Sequence, residues 1–176
     1  MVVTSRNRVR RNKIQFEAEG YLELGMPEHA LDALARLGDP VGFHPDALYL
    51  WGEALRELER YSDAVIPLAK AAAAVPENVH AWFALGWCYK RVGRVDLAID
   101  ALQRVLCVAP NEALVHYNLA CYLSLLGDKP RALKSLARAL AIDPDYRRLI
   151  DEETDFEPLR DDPDFQALCA ETEATG

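Results

Sequence analysis

The stretch Val79–Glu112 reads VHAWFALGWCYKRVGRVDLAIDALQRVLCVAPNE, and it decides the fold. Trp82, Leu85 and Tyr89 follow the i, i+3, i+7 spacing that places side chains on one face of a helix. Gly93 then interrupts the pattern, and Pro110 ends a second amphipathic segment because proline cannot donate the next helical hydrogen bond. The stretch therefore predicts two amphipathic helices joined by a turn, with Trp82 in the core between them.

The same pattern recurs along the chain at a spacing of 34 residues. The small residue of the first helix recurs as Ala18, Gly52, Gly86 and Ala120. The second helix repeats a small residue and a large apolar partner, at Ala30, Ala64, Ala98 and Ala132 and at Leu34, Leu68, Leu102 and Leu136. One amphipathic hairpin leaves apolar surface bare, so these hairpins are expected to stack on one another.

This pattern resembles the tetratricopeptide repeat (TPR), a helix–turn–helix unit of 34 residues. The resemblance implies an all-α fold, a right-handed superhelical solenoid in a single domain. Four repeats are predicted at about 11–44, 45–78, 79–112 and 113–146, after a flexible basic N-terminus at 1–10 and before capping helices and an acidic tail at 147–176. Within that last segment, Thr154 and Glu157 have the spacing of a capping box, and Asp162-Pro163 predicts a helix start.

The charge of the chain is −8 and is unevenly distributed. Residues 1–13 carry five positive charges and no acid, whereas residues 151–176 carry ten acids and one base. An acidic body disfavours DNA as a partner. The N-terminal arginines leave RNA binding open as an alternative, and their likeness to a mitochondrial presequence leaves open a second one.

Other composition features predict a cytoplasmic protein. No apolar run approaches the length of a membrane span, and the basic N-terminus is not followed by the apolar region of a signal peptide. The four cysteines, which are expected to be reduced, are Cys88, Cys107, Cys121 and Cys169.

No nucleotide-binding, hydrolase or metalloprotease motif occurs in the sequence. The four histidines are far apart in sequence, so a metal site is not expected. The prediction is therefore a protein that is not an enzyme, with no catalytic residue, no cofactor and no metal.

The TPR resemblance also implies where a ligand would bind, because the first helices of such repeats line a concave groove. Tyr49, Phe83 and Tyr117 occupy the same groove-facing position in three successive repeats. The groove site predicted in this way comprises Tyr49, Glu53, Arg56, Phe83, Trp87, Lys90, Arg91, Tyr117 and Asn118. Further groove-facing positions in the first two repeats are Asn12, Gln15, Phe16, Glu19, Glu23, Asp46, Leu50 and Glu57. The alternative is that the aromatic rings only pack against neighbouring first helices.

The predicted function is protein–protein interaction, as a scaffold or adaptor that binds a peptide or helix of a partner in the groove. The predicted partners are a protein or peptide ligand or a second copy of the chain, without DNA and without a membrane. The main alternative is a small acidic TPR-type chaperone for a secreted or assembling client protein. An enzyme accessory subunit is a further alternative.

Overall fold

The computed structural model describes residues 5–39 and 42–170, and these residues are helical with turns between the helices. Their α-helices are α1 (Ser5–Glu23), α2 (Pro27–Ala35), α3 (Pro45–Glu57), α4 (Tyr61–Ala74), α5 (Val79–Arg91), α6 (Val95–Val108), α7 (Ala113–Leu125), α8 (Lys129–Ile142), α9 (Arg147–Ile150) and α10 (Pro163–Ala170). Segments of 3-10 helix occur at Pro144–Tyr146 and Thr154–Leu159. No strand occurs in the described ranges, so the predicted all-α class is confirmed.

The N-terminal segment that was predicted to be flexible is partly helical. Helix α1 begins at Ser5, so residues 5–10 are helical. The guanidinium of Arg10 donates a hydrogen bond of 2.9 Å to the carbonyl of Arg36, just beyond the end of α2, and this contact ties the early turns of α1 to the next helix. Residues 1–4 of this segment, like residues 171–176 of the predicted acidic tail, lie outside the described part.

The chain divides into two compact units, Met1–Val92 and Gly93–Gly176. The division falls within the third predicted repeat, after α5. Contacts in a repeat array are local, so the array lacks the single central core that defines one globular domain.

In the first unit, α1 packs on α2, α3 on α4, and α5 on α4. Ala18 and Gly52 of the first helices are buried, as are Leu34 and Leu68 of the second helices. These are the small and large residues that recur every 34 positions, and their burial confirms that the recurrence marks the core. The first helices α1, α3 and α5 also lie side by side in contact, α1 with α3 and α3 with α5.

The turns inside the hairpins share one backbone conformation. Gly25, Glu59, Gly93 and Gly127 are spaced by 34 residues, and their φ angles are +66°, +57°, +79° and +72°. At Glu59 the two backbone hydrogen bonds run from the Glu59 N–H to the Arg56 carbonyl and from the Arg60 N–H to the Leu55 carbonyl. This is the Schellman pattern that satisfies the last carbonyls of a helix, and it normally takes glycine because other residues are strained there.

Trp82 is half-buried and packs against the buried core of the first unit, at its edge rather than at its centre. Its indole N–H donates a hydrogen bond of 3.0 Å to the carbonyl of Pro76, at the turn that precedes α5. One repeat later, His116 Nε2 lies 3.0 Å from the carbonyl of Pro110. Each of these side chains links the start of a first helix to the proline turn that precedes it. The link requires a ring nitrogen that can form a hydrogen bond with a backbone carbonyl.

In the second unit, α7 packs on α6 and α8, and the segment after α8 covers part of α7. Thr154 and Glu157 do not form the predicted capping box, because the Glu153 side chain accepts the hydrogen bond from the Asp155 N–H, at 3.1 Å. The second predicted start is confirmed: Asp162 Oδ1 accepts hydrogen bonds of 2.9 Å from the Asp164 N–H and 3.2 Å from the Phe165 N–H. We call residues 144–170 the C-terminal cap.

Candidate functional site

Three of the predicted groove residues form one hydrogen-bonded network on α3. The Arg56 guanidinium donates to both carboxylate oxygens of Glu53, at 2.9 Å and 3.0 Å, and the Tyr49 hydroxyl bonds the same carboxylate. Burial, followed by the nearby Glu53 charge, raises the pKa of Tyr49 to about 12, while the bond to Glu53 raises the pKa of Arg56. Glu53 and Arg56 largely neutralise each other, so the network is a rigid polar platform rather than a pair of free charges.

Helix α5 carries Phe83 and Trp87, the two aromatic residues of the predicted groove site that belong to the third repeat. Phe83 is half-buried, whereas the indole of Trp87 keeps 38% of its surface exposed. Lys90 is half-buried on the same helix. The Arg91 guanidinium carbon lies 5.0 Å above the centre of the Tyr61 ring, at the start of α4, so Arg91 is engaged in a cation–π contact.

Tyr117 corrects the prediction of an exposed aromatic ladder. Its side chain is buried, with 3% of its surface exposed, because the C-terminal cap lies on this part of α7. The ring centre is 5.1 Å from that of Tyr146 and 5.7 Å from that of Phe156, the latter edge to face. Burial raises the pKa of Tyr117. The ring is therefore part of the core of the second unit, while its neighbour Asn118 is half-buried on the same helix.

A cleft of about 490 Å³ lies between α1 and α3 within the first unit. Its lining residues are the groove-facing positions of the first two predicted repeats: Asn12, Gln15, Phe16, Glu19, Asp46, Tyr49 and Leu50. Of these, only Tyr49 belongs to the set predicted as the main site. The main predicted set omits Phe16, although the sequence shows an aromatic residue at this groove-facing position. In the structure, Phe16 is 78% exposed.

Two of the four cysteines are buried, and the possible metal ligands among the described residues are not clustered. Cys88 and Cys121 are buried and form no disulfide bond, and burial raises the pKa of Cys88 to about 12. A thiol with that pKa is protonated at neutral pH and is therefore a poor nucleophile. Residues 5–39 and 42–170 contain no group of three or more His, Cys, Asp or Glu side chains placed to hold a metal ion. Within the same ranges, no helix has both the length and the apolar surface needed to cross a bilayer.

These features define a repeat protein built from helical hairpins, whose first helices carry aromatic and polar side chains. The chain belongs to the tetratricopeptide repeat family. Tetratricopeptide repeat models match residues 49–113 and 113–146. The two matches together span the second, third and fourth predicted repeats.

Solved structures with the same fold include MamA from Desulfovibrio magneticus RS-1, with a TM-score of 0.70 and 21% identity over 95% of this chain and 98% of that one. YrrB, described as a TPR protein with an unusual peptide-binding site, has a TM-score of 0.68 and 25% identity over 77% of this chain and 70% of that one. The peroxisomal targeting signal receptor of Yarrowia lipolytica is 29% identical over 131 residues, which is 74% of this chain and 22% of the receptor. The chain thus spans about a fifth of the length of that relative.

Proposed function

We propose that this chain is a protein-interaction scaffold or adaptor, which holds a peptide or helix of its partner against the first helices of the first unit. We call the groove-facing side of α1, α3 and α5 the first-helix face, defined by Phe16, Tyr49, Glu53, Phe83 and Trp87. Binding a protein or peptide on this surface is the usual role of the family. YrrB, which has the same fold, is described as having an unusual peptide-binding site.

The observation that carries the proposal is the exposure of large aromatic rings on this face. Phe16 is 78% exposed and Trp87 is 38% exposed, although the folded chain gains free energy by burying such rings. Exposed aromatic residues on a rigid helical surface are typical anchors for a partner, because they bury much apolar area at a small cost in conformational entropy. The platform of Tyr49, Glu53 and Arg56 lies on α3, between the helices that carry these two rings, and supplies polar groups to orient the ligand.

The test is capture of partners from a lysate of the source organism, followed by mass spectrometry. The protein would be compared with a Phe83→Ala/Trp87→Ala variant that circular dichroism shows to be folded. A matched control is Ile66→Ala, which removes an apolar side chain that is 63% exposed on the second helix α4. Partners held by the protein and by the control, and lost from the double variant, would support the first-helix face. Partners retained by all three proteins would contradict it.

A further inference from the structure

The cleft between α1 and α3 has an aromatic wall and an acidic character. The exposed ring of Phe16 belongs to α1, and the half-buried ring of Tyr49 belongs to α3. The charged side chains that line the cleft are Glu19 and Asp46, and none of the described lining residues is basic. The cleft therefore combines π faces with negative charge.

The carboxylates of this cleft are poorly neutralised by the protein itself. Glu19 makes no ion pair of 4.0 Å or less with the described side chains, and Asp46 pairs only with His44, at 3.2 Å. His44 carries a positive charge only when it is protonated, whereas Glu53 nearby is already matched by Arg56. Glu19 and Asp46 thus remain available to a cation from outside.

Glu19 also acts on Tyr49, the second aromatic residue of the cleft. Burial is the main reason that its pKa rises to about 12, but the charges of Glu53 and Glu19 raise it further. The Arg56 charge acts in the opposite direction and does not cancel the rise. A cation that enters the cleft would meet a negative potential.

We propose that the cleft between α1 and α3 binds an arginine side chain of the partner peptide, an inference that rests on the proposed function. A guanidinium is planar, so it stacks on an aromatic ring such as Phe16 while its N–H groups donate to carboxylates. Glu19 on one helix and Asp46 on the other offer those carboxylates. Lysine is a weaker match because its ammonium group neither stacks nor forms a planar fork.

The experiment begins with a random dodecapeptide phage library selected on the full chain. Arginine should be enriched among the selected peptides. A synthetic fluorescent copy of a selected peptide is then compared with one in which citrulline, the neutral analogue of similar shape, replaces the arginine. Citrulline should weaken binding to the protein about tenfold, as for one charge-assisted contact. With the Glu19→Gln/Asp46→Asn variant, the two peptides should bind with nearly the same affinity.

The matched control is Glu28→Gln/Asp32→Asn, which removes two exposed acids from the second helix α2 and changes the net charge equally. This control should keep the preference for arginine over citrulline. If the Glu19→Gln/Asp46→Asn variant keeps the full preference for arginine over citrulline, the assignment of the site is overturned. Selected peptides without arginine enrichment would overturn the arginine proposal while leaving peptide binding intact. Failure to select any peptide would overturn both this inference and the proposed function.

Discussion

A Cβ atom added to Gly52 would lie 2.5 Å from Cγ of Leu68, closer than real side chains approach one another. Helices α3 and α4 therefore meet at a point where only glycine fits. Leu68 is fully buried, and the clash is with the branch point of its side chain rather than with a flexible end. This contact relates the recurring small residue of the first helix directly to the recurring leucine of the second.

Gly52→Ala should destabilise the protein although alanine is the better helix former. Helix propensity favours alanine by about 1 kcal/mol, but overpacking a tight core typically costs about 1–3 kcal/mol. We expect a net loss of up to about 2 kcal/mol, measured by urea unfolding. Gly20→Ala is the control, because a Cβ atom there meets nothing within 4 Å, and it should leave the protein unchanged or stabilise it. A Gly52→Ala protein as stable as Gly20→Ala would contradict the close approach.

Glu59→Gly should stabilise the protein. Glu59 has a φ of +57°, and the three other residues at this repeat position are glycines. The left-handed conformation costs a residue with a Cβ roughly 1–2 kcal/mol, and glycine removes this strain. Part of the gain in stability is lost, because glycine loses more conformational entropy than glutamate when the chain folds. A gain of about 0.5–1 kcal/mol is expected in thermal or urea unfolding. Gly127→Ala is the reverse test, and it should lower stability by a similar amount.

Phe156→Ala should release the C-terminal cap from α7. The ring is fully buried and contacts Tyr117 on α7 and Phe165 on α10, with ring centres 5.7 Å and 5.4 Å apart. Truncating a buried phenylalanine typically costs about 3–5 kcal/mol. Hydrogen exchange should therefore accelerate in residues 144–170. Leu149→Ala, at a cap residue that is 52% exposed, serves as the control and should change exchange little.

Lys129→Gln should loosen the same cap more mildly. Lys129 Nζ lies 2.6 Å from Asp162 and 2.8 Å from Asp164, so it joins the start of α8 to the start of α10. The hydrogen bond to Lys129 lowers the pKa of Asp162, so its contribution to stability is present above the ordinary carboxyl pKa of 3.8 and is lost as the pH falls further. Exchange in α10 should increase in Lys129→Gln at neutral pH. Lys134→Gln, on the same helix, should behave like the unmodified protein.

Tyr49 should lose its proton only at strongly alkaline pH. Its pKa is raised from 10.0 to about 12, which means that the fold favours the neutral phenol. Its contribution to stability is therefore present below pH 10 and is lost as the pH rises towards about 12. The phenolate absorbance of the protein minus that of Tyr49→Phe should show one tyrosine titrating near the raised value. A difference curve centred near the ordinary pKa would show that Tyr49 is open to solvent.

The repeat period, the helical class and the core residues could be predicted from the sequence, because each depends on local spacing. Ala30, Leu34 and their counterparts mark one face of each helix, and that face has to be buried wherever the hairpin packs. The position of the turn in the third repeat followed in the same way from Gly93. Glu59 was not recognised as its counterpart in the second repeat, because a glutamate in a left-handed turn leaves no signal in composition.

Only the tertiary structure decided which groove-facing residues of the first helices are exposed. Tyr49 and Tyr117 occupy the same repeat position, so the sequence treats them alike. In the folded chain Tyr49 borders an open cleft, whereas Tyr117 is buried under Phe156 of the cap. The pairing of Glu53 with Arg56 likewise depends on side-chain geometry on α3. Periodicity determines which side of a helix faces its own hairpin, but the burial of the opposite side depends on which distant segment folds over it.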